Sequence, residues 1–152
     1  MLGQASSREA QDAGQVAAHA ASLPRLLVID DDNPHRMIIS RVAVKAGYEP
    51  VGAGDYEEAA ELVRTTAFDC ITLDLSLGEH AGIEMLRHLR KIGCKAPIVI
   101  ITGSDGATCR ETLRVAKSLD LKVSEPVAKP VDIAVLRYAL ERVRSRTNFA
   151  RA

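Results

Sequence analysis

Five short apolar runs recur along the chain, and helix-like stretches with apolar residues every three or four positions alternate with them. Arg25 to Ile29, Tyr48 to Ala53, Cys70 to Asp74, Ile98 to Thr102 and part of Leu121 to Ala128 read as strands. The last is broken in character by Glu125-Pro126. The first helix is predicted from Asn33, as cap, to about Ala46, with Pro34 in its first turn, Met37, Ile38 and Val42 inward, and Gly47 as its stop. Asp55 with Glu58 forms a capping-box signature for a second helix to about Thr65, with Ala59, Leu62 and Val63 inward. A third helix spans about Gly82 to Ile92, with Ile83, Leu86 and Leu89 inward and Gly93 behind it. A fourth covers about Ala107 to Leu119, with Leu113 and Ala116 inward. The last has Asp132 in its first turn and carries the stripe Ile133, Leu136, Leu140, Val143.

Five strands alternating with five helices require parallel pairing through right-handed crossovers, hence an α/β doubly wound sheet with helices on both faces. In such sheets ligands bind outside the carboxyl ends of the strands. Phe68 to Leu77 is the stretch around which the rest is organised: a strand apolar enough to be buried on both faces, ending on Asp74. Strand 1 runs into Asp30-Asp31-Asp32, strand 4 ends on Thr102 and strand 5 on Lys129. Neighbouring strands would bring these groups to one edge. Asp30, Asp31 and Asp74 in one crevice repel one another unless a cation joins them, and few, hard, water-exposed oxygen ligands suit Mg²⁺. With Lys129 and Thr102 added, the set is what phosphoryl transfer to the Asp74 carboxylate needs: a nucleophile, positive charge for the equatorial oxygens and one hydroxyl donor.

The totals exclude several classes. At 152 residues one domain is expected, and 20 Lys plus Arg against 20 Asp plus Glu leaves no basic footprint for nucleic acid or an anionic membrane. The three cysteines, Cys70, Cys94 and Cys109, have no metal-like spacing and suit a reduced cytoplasmic setting. No apolar run is long enough to span a bilayer, and the start of the chain is not a signal peptide. Residues 1–23 read as a flexible leader with at most a frayed helix from Arg8 to Ala21, the alternative being a helix that docks on the domain or on a partner. Gly52-Ala53-Gly54 hints at a nucleotide loop, but the pattern fails at Glu57. His19, His35, His80 and His88 share no ligand spacing and are expected to be solvated or partly buried rather than a metal site.

The motifs LLVIDDD (26–32), DCITLDLSLGEHAG (69–82), IVIITGS (98–104) and AKP (128–130), in this order and spacing, resemble the response regulator receiver domain of two-component signalling. The resemblance covers residues 25 to about 146 and implies a flavodoxin-like sheet in the order 2-1-3-4-5. It implies Asp74 as phosphoacceptor, with Thr102 as the switch hydroxyl and Lys129 as the phosphate-binding lysine. The Mg²⁺ ligands it implies are Asp30, Asp31, Asp74 and the backbone carbonyl of Ser76. It further implies a sensor histidine kinase or histidine phosphotransfer protein as donor. Two positions depart from the family pattern: Pro126 stands where an aromatic residue usually swings inward, and Gly78 stands where a Pro is frequent.

The expected organisation is therefore a leader at 1–23, a receiver domain at 24–148, a tail at 149–152 and no output domain. A stand-alone, cytoplasmic phosphorylation switch is expected, not an enzyme beyond its own phosphoryl chemistry. It would signal to an unknown protein target, with no nucleic-acid contact and no membrane insertion. The basic side of the last helix (Arg137, Arg142, Arg144, Arg146, then Arg151) is expected to be a solvated face, with docking of an acidic partner as the alternative. Two rivals stand beside this reading. Pro126 favours a constitutive interaction module that does not use phosphate. Asp30-x-Asp32 also resembles the aspartate pair of haloacid-dehalogenase-type phosphatases, with Asp30 as nucleophile.

Overall fold

The computed structural model describes residues 22–77, 81–103 and 106–151. Most of the expected flexible leader (residues 1–21), the loop position Gly78 and the pair 104–105 lie outside the described residues. The elements run β1 (Arg25–Ile29), α1 (Asn33–Lys45), β2 (Glu49–Ala53), α2 (Tyr56–Thr65), β3 (Cys70–Asp74), α3 (Ala81–Lys91), β4 (Ile98–Thr102), α4 (Gly106–Ser118), β5 (Val127–Ala128) and α5 (Ile133–Arg151). All strand pairs are parallel, in the order β2-β1-β3-β4-β5. This is the doubly wound arrangement that the alternation requires.

Side-chain alternation splits the core into two layers, as the period of a strand dictates. Leu26 and Val28 of β1, Cys70 of β3 and Val99 and Ile101 of β4 pack against Ile39, Val42 and Ala43 of α1 and Leu136, Leu140 and Val143 of α5. Leu27 and Ile29, Ile71 and Leu73, and Ile98 and Ile100 face the other way, onto Ala59 of α2, Met85, Leu86 and Leu89 of α3 and Ala116 of α4. Every residue of β3 and β4 is buried, which explains their unbroken apolar runs.

Several helix details differ from the pattern-based expectation. On α1 the inward residues are Ile39, Val42 and Ala43, whereas Met37 and Ile38 are exposed. Ile39, Val42, Ala43 and Ala46 follow the helical repeat onto the sheet, and Met37 lies off that stripe. The cap of α1 is Asp32, not Asn33, whose side-chain oxygen accepts from the Arg36 guanidinium at 2.8 Å. Met85 replaces Ile83 as the core residue of α3, and Ile133 at the exposed start of α5 does not join the stripe. The α5 helix runs to Arg151, so residues 149–151 continue it. The fifth strand shrinks to Val127–Ala128, with one isolated bridge from Val123 to Ile98 upstream of Pro126. Pro126 has no N–H to offer a ladder, and the strand resumes only after it.

Asp55 accepts from the Glu58 amide at 2.8 Å, and Glu58 reaches back to the Gly54 amide at 3.1 Å, so the capping signature is realised with the return bond one residue early. Gly47 has φ +91°, a conformation that suits glycine, and a Cβ there would lie 2.7 Å from Nη1 of Arg144. The buried Tyr48 hydroxyl donates to the Leu140 carbonyl at 2.9 Å and ties the entry of β2 to α5. Tyr48→Phe is expected to lower stability by about 1 kcal/mol, because the carbonyl keeps its place in the helix while one neutral hydrogen bond is lost. Urea unfolding would show this as a lower midpoint at unchanged slope. An unchanged midpoint would show that the hydroxyl contributes nothing.

Candidate functional site

The parallel register decides which strand ends meet. Ile29 lies beside Leu73 and Asp74 beside Ile101, so Asp30 and Asp74 leave the sheet as neighbours. Thr102 pairs with Ala128, and the Thr102 carbonyl accepts from the Lys129 amide at 2.9 Å, which fixes Lys129 on the same edge. Asp30 and Asp74 are 0% and 1% exposed, and Thr102 is buried at its strand end.

Asp74 is held on both oxygens. Its Oδ1 accepts from the Ser76 amide at 2.9 Å and from the Ser76 hydroxyl at 2.6 Å. Its Oδ2 accepts from Lys129 Nζ at 2.6 Å. The Lys129 stem crosses Gly103, where a Cβ would lie 3.5 Å from its Cδ. Burial works against ionisation of Asp74, but the Lys129 ammonium and the two Ser76 donors outweigh it and hold the carboxyl below its ordinary value.

Asp30 has the opposite balance. Burial and the Asp74 charge raise its carboxyl above the ordinary value, against the lowering effect of His35 and the Asp32 amide. Its Oδ1 accepts from the Asp32 amide at 2.9 Å, and its Oδ2 contacts Nδ1 of His35. With Asp32 as cap, His35 is the third residue of α1, the position from which a side chain reaches back over the helix start. Pro34 costs no hydrogen bond in that turn, where the amide would have no partner in the helix. Arg36 fastens the loop by donating to the Asp30 carbonyl at 2.6 Å and to Asn33 Oδ1 at 2.8 Å. It lies against the end of β2, where a Cβ at Gly52 would sit 3.0 Å from its Cδ and one at Gly54 3.2 Å from its Nη1. The Gly-Ala-Gly stretch is thus a trough for an arginine rather than for a nucleotide.

Asp30, His35 and Asp74 each offer a ligand atom, and these atoms lie within 4.8 Å of one another. Asp31 is exposed and outside that group, and Ser76 is exposed two residues beyond Asp74. The structure therefore brings Asp30, Asp74, Ser76 and Lys129 together, with Thr102 bonded through its carbonyl to the Lys129 amide, and sets Asp31 at the rim. His35 is the residue that sequence spacing missed. Its signal was position, third in a helix whose cap follows the acidic strand end, and not its distance from other histidines. A cavity of about 770 Å³ opens at the opposite edge of the sheet among Phe68, Asp69 and Pro97, away from these groups. Cys70 is buried, with its thiol pushed up to about 12 by burial, and plays no part at the edge.

Comparison with known proteins gives a consistent picture. The family model described as response regulator receiver domain matches residues 26–141. The chain is 28% identical over 123 residues to the transcriptional regulatory protein DltR of Streptococcus agalactiae, covering 81% of this chain and 51% of that protein. It is 30% identical over 124 residues to the transcriptional regulatory protein ZraR of Escherichia coli, covering 81% and 27%. The chain thus spans about half the length, or less, of these curated relatives. Among solved structures, the receiver domain of the Francisella response regulator 1452 superposes with a TM-score of 0.70 at 26% identity, covering 82% of this chain and 98% of that one.

The two carboxylates titrate with opposite sign. Ionised Asp74 stabilises the fold above the ordinary carboxylate range, and that contribution is lost as pH falls through its lowered value. Ionised Asp30 costs stability progressively as pH rises from the ordinary range through its raised value. In chelator-treated protein at neutral pH, Asp30→Asn is therefore expected to be more stable than wild type by about 1 kcal/mol, or about 3 °C in Tm. The gain should vanish on acidification, as the wild-type carboxyl takes up its proton. A lower Tm for Asp30→Asn at neutral pH would show that the contact with His35 outweighs the repulsion.

Proposed function

The chain belongs to the response regulator receiver domain family, and on that premise we propose that Asp74 accepts a phosphoryl group from a phosphohistidine. The donor would be a sensor histidine kinase or a histidine phosphotransfer protein. The observation that carries this reading is the pairing of a buried, ionised Asp74 with Lys129 Nζ at 2.6 Å, beside a second buried carboxylate.

An Asp74 carboxylate oxygen attacks phosphorus, the bond from phosphorus to the donor imidazole nitrogen breaks, and an acyl phosphate forms while the donor histidine leaves. The depressed carboxyl keeps Asp74 ionised, hence nucleophilic, at neutral pH. Ser76 orients it through Oδ1, which leaves the Oδ2 side to the incoming group. Lys129 then exchanges its contact with Oδ2 for one with a phosphoryl oxygen, and Thr102 offers its hydroxyl from the neighbouring strand end. Two buried carboxylates within 4.8 Å repel by roughly 3 kcal/mol at an effective dielectric of about 20, so a cation between them is favoured. Asp30 and Asp74, with Asp31 at the rim and the Ser76 carbonyl, would hold Mg²⁺. When bound, that ion would neutralise the carboxylates and the phosphoryl oxygens.

The output in this proposal is a phosphorylation-controlled contact with another protein. An equal number of acidic and basic residues supports this over a nucleic-acid contact. A cytoplasmic location belongs to the same proposal. Among the described residues no helix is long and apolar enough to cross a membrane.

The test is intact mass after incubation with acetyl phosphate and Mg²⁺. Wild type is expected to gain one phosphoryl group, with none on Asp74→Asn or in EDTA. Lys129→Met is expected to slow the gain by about 100-fold, the loss typical of one removed charge-stabilising donor. A folded wild type that gains nothing from acetyl phosphate or from a phosphohistidine donor would favour the constitutive module, for which Pro126 is the motivating residue.

A further inference from the structure

We infer that His35 is a ligand of the divalent cation that Asp30 and Asp74 hold, so that the site prefers a d-block ion such as Mn²⁺ to Mg²⁺. The inference rests on the cation reading proposed above and adds a nitrogen donor to it. Three observations carry it. The ligand atoms of Asp30, His35 and Asp74 lie within 4.8 Å of one another, whereas trans ligands on one ion with bonds of about 2.1 Å are about 4.2 Å apart. The set therefore needs only small side-chain adjustments to close on one ion. Nδ1 of His35 contacts Asp30 Oδ2, so the ring already sits beside one carboxylate ligand. Nε2 of His35 is buried with no hydrogen-bond partner among the described residues, although a buried polar atom left unbonded costs about 1–3 kcal/mol.

The helix turn that carries the ring is held as well. Asp32 caps the helix, Pro34 fixes the first turn, and Arg36, one residue on, is bound to the Asp30 carbonyl and to Asn33. A turn held in this way limits the backbone freedom that His35 would lose on coordination. The donor chemistry then sets the preference. Two carboxylates alone form a hard oxygen site, suited to an ion that keeps several waters. An imidazole nitrogen adds little for Mg²⁺ but strengthens binding of first-row d-block ions.

The full chain, freed of metal, is titrated with Mn²⁺ and separately with Mg²⁺, and the Mn²⁺ form is examined by electron spin echo envelope modulation. Wild type is expected to show modulation from a directly bound imidazole nitrogen. His35→Ala should lose that modulation and bind Mn²⁺ about tenfold more weakly, with Mg²⁺ affinity unchanged within about twofold. His35→Gln keeps a hydrogen-bond donor for Asp30 but no imidazole, and is expected to stay folded and to show the same lost modulation and weaker Mn²⁺ binding, so a folding defect of His35→Ala does not decide the outcome. Comparison with both variants also separates His35 from the other three histidines of the chain. Mn²⁺ bound without nitrogen modulation, and equally by the variants, would overturn the assignment of His35 while leaving the Asp30–Asp74 site intact. Failure of wild type to bind either ion would overturn both. Asp30→Asn distinguishes the site from adventitious binding, because it should weaken both ions together.

Discussion

Two buried carboxylates side by side are the constraint to which the carboxyl edge of this sheet answers. Parallel register puts Asp30 next to Asp74 at the ends of β1 and β3, and neither reaches solvent. Water cannot solvate them there, so each needs its own partners. Asp74 has Lys129 and Ser76, and its carboxyl falls below the ordinary value. Asp30 has His35 and one amide, and its carboxyl stays above. This imbalance within the pair gives the edge its chemistry. One group is a ready anion, and the other holds charge at a cost that a cation can offset.

The second layer of the edge follows from the first. Arg36 donates to the Asp30 carbonyl and lies in the trough left by Gly52 and Gly54, so it braces the end of β1. Lys129 reaches Asp74 only because β5 resumes after Pro126 for long enough to pair Thr102 with Ala128. The Thr102 carbonyl bond to the Lys129 amide then couples the two residues directly. A shift of the β4 end on phosphorylation would move the lysine with it. In the proposed switch, that coupling would give the signal a route that does not pass through residue 126.

Much of this was legible in the sequence, for identifiable reasons. The ends of β1, β3 and β4 were readable because both-face burial forces unbroken apolar runs, and a run must stop where Asp30, Asp74 and Thr102 begin. The order of the strands was not contained in those runs and came from the resemblance. Helix faces were less legible. Met37 and Ile38 look as apolar as Ile39, and only the sheet decides which of them is covered. His35 was missed because ligand spacing was sought among histidines, whereas the partners of this one are carboxylates on strands. The short β5 was legible only in part: Pro126 forecast a break, and the bridge at Val123 depends on tertiary pairing with Ile98.

The most direct measurement is the identity of the residue that carries the phosphoryl group. Phosphorylated protein would be reduced with borohydride, which converts an acyl phosphate to an alcohol, and then digested and sequenced by mass spectrometry. The account predicts homoserine at position 74 and an unmodified aspartate at positions 30, 31 and 32. Homoserine at position 30 in place of 74 would contradict it, because the nucleophile would then be the carboxylate that lacks the lysine.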